Sequence, residues 1–330
     1  MKRMVVLVNP TIQPVGVELL KQECRTVLAP DGAEETLIQH INQNRADGIV
    51  TRVERITQHI LESCPSLAVV GQHGVGVDNI DVAVATQHGV LVLNVPSANY
   101  MSVAEHTILA ILALSRKLLV SDAKTRQGQW EYRNQFYPME INGKTLLIVG
   151  LGRIGQEVAR KAKAFNLRLF GYDPFVSPED MALLGVQKAD DLATCVPEAD
   201  FMSIHVPLTS ATRHMVNRDL LAKMKSTAYL INVGRGPVVD QKALYDALTQ
   251  GIIAGAALDV LTEEPPERND PLLKLDNVIF TPHFAGDTKE AKHRCSLTLA
   301  TEVIKVLNGG SSANVVNPKA LAGARINSLT

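Results

Sequence analysis

The sequence predicts an α/β protein of two domains, each built on a parallel sheet. A chain of 330 residues has room for two cores. Short β-rich runs alternate with helical stretches along most of it, and that alternation restarts once, after a long apolar helix and a polar loop. The composition, 46% hydrophobic and 20% charged, is that of a globular chain and excludes a disordered or fibrous one.

The first alternation fills residues 4–95, where β-rich MVVLV, GIVT, LAVV and VLVLNVP are interleaved with helical GVELLKQE and RITQHILESC. The amino-terminal MKRMVVLVNP has too few apolar residues for a signal-peptide core or a spanning helix, so it reads as a buried strand ending at Asn9 and Pro10. Residues 101–121 form the longest apolar-periodic helix. Its most hydrophobic part, 107–120, is interrupted by Ser115, Arg116 and Lys117, which makes it a buried amphipathic helix and leaves no membrane segment. A domain crossing falls near residue 100.

After a polar loop at 130–140, the second alternation runs through KTLLIVG, RLFGYD, FMSIHVP, AYLINVG, GAALDV and NVIFTP, six strands of a dinucleotide-type sheet. The helical stretch 288–307 has no strand left to cross to and is expected to return to the first domain. The expected boundaries are therefore 1–100 plus 288–330 for one domain and 101–287 for the other. Beyond Asn308, with Gly309, Gly310, Ser311 and Ser312 in a row, the chain should be loop-like or frayed.

Thirty-three Lys and Arg against 34 Asp and Glu leave a net charge of −1, so no global positive field would gather nucleic acid or an anionic membrane. Cys24, Cys64, Cys195 and Cys295 are scattered without CxxC spacing, which fits reduced, buried thiols in a cytoplasmic protein with neither metal site nor disulfide.

The sharpest local pattern is Gly150, Gly152 and Gly155 in GLGRIG, directly after the strand LLIV and before the helix QEVARKAKAF. Two glycines permit a tight turn and close approach to a pyrophosphate, the third lets helix and strand pack, and the helix N-terminus supplies amides and positive dipole. Asp173 ends the next strand, 18 residues past Gly155, where a carboxylate accepts from both ribose hydroxyls and repels a 2'-phosphate. Pro174, Phe175 and Val176 follow with no basic residue, so the pattern indicates NAD rather than NADP. A plain tight turn and a site for S-adenosylmethionine are the competing readings; placement and Asp173 argue against the first, and residues downstream against the second.

Three later strand ends carry polar groups: Asn232 to Arg235 after AYLI, Asp259 to Glu264 after GAAL, and Thr281 to His283 after NVIF. In a parallel sheet all three face the ligand crevice. Reduction of a carbonyl by hydride needs a cation to hold the substrate carboxylate and an acid to protonate the developing alkoxide. Arg235 and His283 fit those roles, and Glu264 would orient the imidazole and raise its pKa. Taken singly, Arg235 also reads as a surface ion pair, Glu264 as a solvated loop charge, and His283 as a hydrogen-bonded histidine.

Together with GVGVDNID at 74–81, SVAEHT at 102–107, INGKTLLIVGLGRIG, HVPLT at 205–209, INVGRGPVVD, ALDVLTEEPP and TPHFAG, these segments resemble the D-isomer-specific 2-hydroxyacid dehydrogenases over nearly the whole chain. That family includes phosphoglycerate dehydrogenases and glyoxylate/hydroxypyruvate reductases. The resemblance implies two Rossmann-like or flavodoxin-like domains with NAD in the interdomain cleft, closing on hinges near 97–100 and 285–288. It also implies a triad of Arg235, Glu264 and His283, pyrophosphate at Arg153 and Ile154, ribose at Asp173, and nicotinamide near Val233, Asp259, His283 and Gly286. The substrate, a small 2-hydroxy or 2-keto acid, would place its carboxylate on the backbone amides of Val75 and Gly76 as well as on Arg235.

Helix 101–121 resembles the family's dimerisation helix and implies a homodimer. Glu264 separates the chain from formate dehydrogenases, which carry an amide there. Phosphoglycerate dehydrogenases often have arginine where this chain has Gln72, followed by His73, and a second one near Thr51, beside Arg52. The first departure puts 3-phosphoglycerate in doubt, whereas Arg52 is placed to substitute for the second arginine with a shifted geometry, so the expected substrate is of the hydroxypyruvate, glyoxylate or phosphoglycerate type. The residues after Gly310 are too few for a carboxy-terminal regulatory domain. Corepressors similar to this family keep the fold and triad but act through partners, so an NAD(H)-sensing binding protein is the alternative to an enzyme.

Overall fold

The computed structural model describes residues 2–8 and 12–328. Asn9 and Pro10, expected to close the first strand, lie outside the described residues. The chain divides into two compact units, Met1–Asn99 with Asp287–Thr330, and Tyr100–Gly286.

The first unit is built on five parallel strands, β1 (Met4–Val8), β2 (Arg25–Ala29), β3 (Gly48–Thr51), β4 (Val69–Gln72) and β5 (Leu91–Leu93), in the order β2-β1-β3-β4-β5. This is the flavodoxin-like order, with helices α1 (Pro14–Glu23), α2 (Glu34–Asn44), α3 (Gln58–Ser63) and α4 (Val82–Gln87) as connections. MVVLV is apolar throughout because both faces of the sheet are covered: Val5 and Leu7 enter one core, Met4, Val6 and Val8 the other. β2 is missing from the sequence reading. It is an edge strand with Arg25 and Leu28 exposed, so RTVLA lacks a buried run's signature.

The second unit opens with α5 (Tyr100–Ser115) and α6 (Leu118–Arg126). The single helix expected over 101–121 is thus two. Lys117 adopts φ +48° and breaks the helical ladder next to the polar residues that interrupt the apolar run. α5 buries ten residues, whereas α6 buries none.

Seven parallel strands follow: β6 (Thr145–Val149), β7 (Arg168–Tyr172), β8 (Gln187–Lys188), β9 (Phe201–Ile204), β10 (Tyr229–Asn232), β11 (Gly255–Leu258) and β12 (Val278–Phe280). They are ordered β12-β11-β10-β9-β6-β7-β8. Six strands were expected. The seventh, β8, is two residues long, polar and at the sheet edge, which leaves no apolar periodicity to read. Connecting helices include α7 (Arg153–Lys163), α8 (Pro178–Leu183), α9 (Leu192–Cys195), α10 (Arg218–Leu221) and α11 (Gln241–Thr249). Strand order reverses between β6 and β9, so this unit's crevice lies outside the carboxyl ends of those strands.

The last helix, α12 (Lys289–Leu307), belongs to the first unit, where Leu299, Ala300 and Val303 are fully buried in its core. Among the described residues the tail is loop-like, with short 3-10 turns at Pro318–Gly323 and Arg325–Ser328, but it is anchored rather than frayed. Asn317 accepts from Val92 N at 2.9 Å and donates to Val90 O at 2.9 Å, extending the sheet edge by side chain. Arg325 donates to Leu61, Cys64 and Leu67 carbonyls, satisfying the exposed end of α3, and Ala320 and Ala324 are buried. Polar side chains and two small alanines do most of the anchoring, which leaves little apolar periodicity to read.

Candidate active site

The glycine turn forms at the end of β6, the central strand at the order reversal. Gly150 has φ +93°, and a Cβ on Gly155 would stand 2.0 Å from Gly150 O, so turn and helix packing both demand glycine. Gly152 is different: a Cβ there would meet nothing within 4 Å. Protein packing does not require it, but a ligand backed onto the first turn of α7, at Arg153 and Ile154, would. Asp173, one residue past β7, accepts from Leu151 N at 2.8 Å on one oxygen and from Phe175 N at 2.9 Å on the other. Those bonds hold the carboxylate beside the glycine turn and leave lone pairs for ribose hydroxyls. This donor and acceptor set fits a dinucleotide.

At the ends of β10, β11 and β12 the structure gathers the remaining polar residues. His283 Nδ1 and Glu264 Oε2 are 2.6 Å apart, and Glu264 Oε1 accepts from Leu261 N at 2.9 Å. The imidazole pKa is raised above its ordinary 6.5, chiefly by that hydrogen bond, against burial and the nearby Arg235 charge. Burial alone would push Glu264 up; the bonds from His283 and Leu261 and the charges of His283 and Arg235 outweigh it and bring the carboxyl down. About half of the His283 side chain stays open to solvent, at 51%. A proton on its far nitrogen is therefore exchangeable.

Arg235 is half-buried and donates to Gly234 O at 2.8 Å. Asn232, in the motif but without an expected role, holds the turn that presents it, donating to Arg235 O at 3.0 Å and accepting from Gly234 N at 3.1 Å. Gly236 keeps this loop against the Glu264 loop, since a Cβ there would be 2.0 Å from Leu261 O. Val233 is buried between β10 and Arg235. Asp259 is buried too, and its carboxylate accepts from Phe284 N and Ala285 N at 3.0 Å each. Gly286 follows Ala285 as the last residue of the unit. His283 itself adopts φ +50°, a conformation costing on the order of 1 kcal/mol, which the bond from its amide to Asp259 O at 2.8 Å helps to hold.

Val75 and Gly76 belong to the first unit, in the turn after β4. Its carbonyls are tied to the β5 end: Val95 N donates to Gly74 O at 3.0 Å and Asn94 Nδ2 to Val75 O at 2.7 Å. The neighbouring polar positions are engaged with one another. Thr51 donates to Glu54 at 2.7 Å, Gln72 to Arg52 O at 2.7 Å, and the Arg52 guanidinium pairs with Asp287, which also meets Lys292 at 3.1 Å. His73 is buried against Ser296 Oγ at 2.9 Å, and burial, with the Arg52 charge, pushes its pKa down to about 4.

The order of the seven-stranded sheet, the glycine turn at its reversal and the acid at the end of β7 define a dinucleotide-binding α/β protein. The profile described as "D-isomer specific 2-hydroxyacid dehydrogenase, NAD binding domain" matches residues 108–285. The chain belongs to the D-isomer specific 2-hydroxyacid dehydrogenase family. It is 42% identical to D-3-phosphoglycerate dehydrogenase of Methanocaldococcus jannaschii over 94% of this chain and 59% of that protein. It is 40% identical to the human D-3-phosphoglycerate dehydrogenase over 91% of this chain and 57% of that one. The chain thus spans less than two thirds of these relatives' length. Among solved structures, an NADPH-dependent glyoxylate/hydroxypyruvate reductase of Sinorhizobium meliloti, in complex with NADP and malonate, superposes with TM-score 0.86. It is 29% identical and the match covers 96% of this chain and 98% of that one.

Proposed function

We propose that this protein is an NAD-dependent 2-hydroxyacid dehydrogenase that interconverts a small 2-hydroxy acid and its 2-keto acid. The observation that carries the reading is the His283–Glu264 pair at 2.6 Å, at the same strand ends as Arg235. When bound, the nicotinamide supplies or takes up the hydride. Arg235 holds the substrate carboxylate and polarises the carbonyl. His283, kept protonated by Glu264, gives the proton on its free Nε2 to the carbonyl oxygen during reduction and recovers it during oxidation.

Asp173 favours NAD over NADP, because a 2'-phosphate would meet its charge and Pro174, Phe175 and Val176 after it bring no basic residue. Engagement of Thr51, Gln72 and Arg52 within the first unit supports an unphosphorylated acid of the glyoxylate or hydroxypyruvate kind over 3-phosphohydroxypyruvate. Self-association as a homodimer is part of the same reading: α6 buries nothing, and Leu118 and Leu119 are each more than half exposed. Light scattering on the purified protein tests that point, and a monomer at micromolar concentration contradicts it.

The enzyme reading is tested by NADH oxidation with glyoxylate, hydroxypyruvate, 3-phosphohydroxypyruvate and pyruvate, beside NADPH and an Arg235→Ala control. Turnover of one keto acid, lost in the control, is the expected result. Binding of NADH without turnover of any of them would favour a sensing protein.

A further inference from the structure

Three consecutive amides end on one residue. His283 N donates to Asp259 O at 2.8 Å, and Phe284 N and Ala285 N donate to its carboxylate at 3.0 Å each. The loop that carries His283 is therefore shaped by Asp259. The Asp259 carboxylate is in turn held by the Thr281 hydroxyl, whose oxygen is 2.5 Å from Oδ1. A carboxylate only accepts, so Thr281 gives its single proton there. The remaining neighbour of that hydroxyl is His106 Nε2, at 3.2 Å, which must then be the donor.

His106 lies on α5, 175 residues before Thr281, with its ring edge-on to Phe284 at 5.5 Å and 71°. Burial holds its pKa below the ordinary value against the pull of Asp259, which fits a neutral ring carrying its hydrogen on Nε2. The chain of donors then runs one way, from His106 to Thr281 to Asp259. Passing a proton along it would leave His106 as an imidazolate, far too basic a species to form here, so its work is orientation.

We propose that His106 is a positioning residue: through Thr281 it fixes the Asp259 carboxylate, and through Asp259 the loop that holds the His283 ring against Glu264. The functional consequence rests on the reading of His283 as the proton donor. The charged groups facing His283 are Glu264, Arg235 and Asp259, and the one facing His106 is Asp259. Loosening the loop so that the ring leaves Glu264 lowers the proton affinity of the imidazole, since that bond is the largest influence raising it.

The test uses protein labelled with 15N-histidine, whose His283 resonance is titrated directly, alongside steady-state reduction of the keto acid. His106→Phe keeps a ring and removes the donor; His106→Gln restores an N–H near the same place. The phenylalanine variant is expected to lower the His283 midpoint and, at saturating NADH, to cut kcat by about tenfold to a hundredfold, because the acid is misplaced. The glutamine variant should recover most of both. Thr281→Val and Thr281→Ser give the same contrast should a His106 variant fail to fold, valine behaving as the loss and serine as the rescue. Wild-type titration in the phenylalanine and valine variants overturns the proposal, and so does equal impairment of loss and rescue variants in step with their Tm. A wild-type protein that turns over no keto acid defeats the dehydrogenase reading, yet the titration still decides whether His106 places His283.

Discussion

His73 in the first unit and His283 in the second each follow the end of a strand in a parallel sheet, one and three residues on, yet their proton affinities move in opposite directions. His73 is 7% exposed, bonded to a neutral hydroxyl and close to the Arg52 charge, and it falls to about 4. His283 is more open, bonded to a carboxylate, and it rises. Burial sets the baseline and the partner decides the sign. The first histidine is thus held neutral by its surroundings, and the second keeps its proton to higher pH.

The largest effect expected from breaking this contrast is on turnover. His283→Ala should lower kcat for reduction at saturating NADH by about 10² to 10⁴, the usual worth of a positioned acid. Glu264→Gln keeps the shape but removes the charge that holds the imidazole protonated. Reduction near neutral pH should fall by a smaller factor and the His283 midpoint should move down, read from the pH dependence of kcat.

Ser296→Asp sharpens the contrast from the other side by giving His73 the carboxylate it lacks. Its titration midpoint should climb from about 4, followed by NMR. His73 also predicts how stability varies with acid. Its folded pKa lies below the ordinary 6.5, so the unfolded chain binds the extra proton and stability is lost as pH falls from about 6.5 toward 4, by about 3 kcal/mol in total. His205, pushed to about 3 by burial, acts in the same direction. Denaturant melts at pH 7 and pH 5 should therefore differ less in His73→Phe than in the parent. The smallest change is expected from Arg325→Ala, which leaves three carbonyls near α3 without their donor and should cost about 1–3 kcal/mol with activity retained.

What was legible in the sequence was local. The glycine turn, Asp173 and the three polar strand ends each sit within a few residues of a buried apolar run, so strand and motif identify one another. β2 and β8 carry too little apolar signal because they are edges, and the break at Lys117 hides inside a helical period. The tail anchors through Asn317 and Arg325, polar residues that composition assigns to a loop. The tie from His106 to Thr281 spans 175 residues, and no spacing rule connects a helix residue to a strand end at that distance. The Glu264 and His283 pairing was readable because both stand in motif-rich loops a few residues past the ends of adjacent strands, β11 and β12.

The most direct measurement is the pH dependence of kcat/KM for keto-acid reduction by NADH, in the wild-type protein and in Glu264→Gln. The account predicts a rate that is highest at low pH and falls through a midpoint above the ordinary imidazole value of 6.5, moving to lower pH in the variant. A flat profile, or one whose midpoint is the same in both proteins, would contradict it.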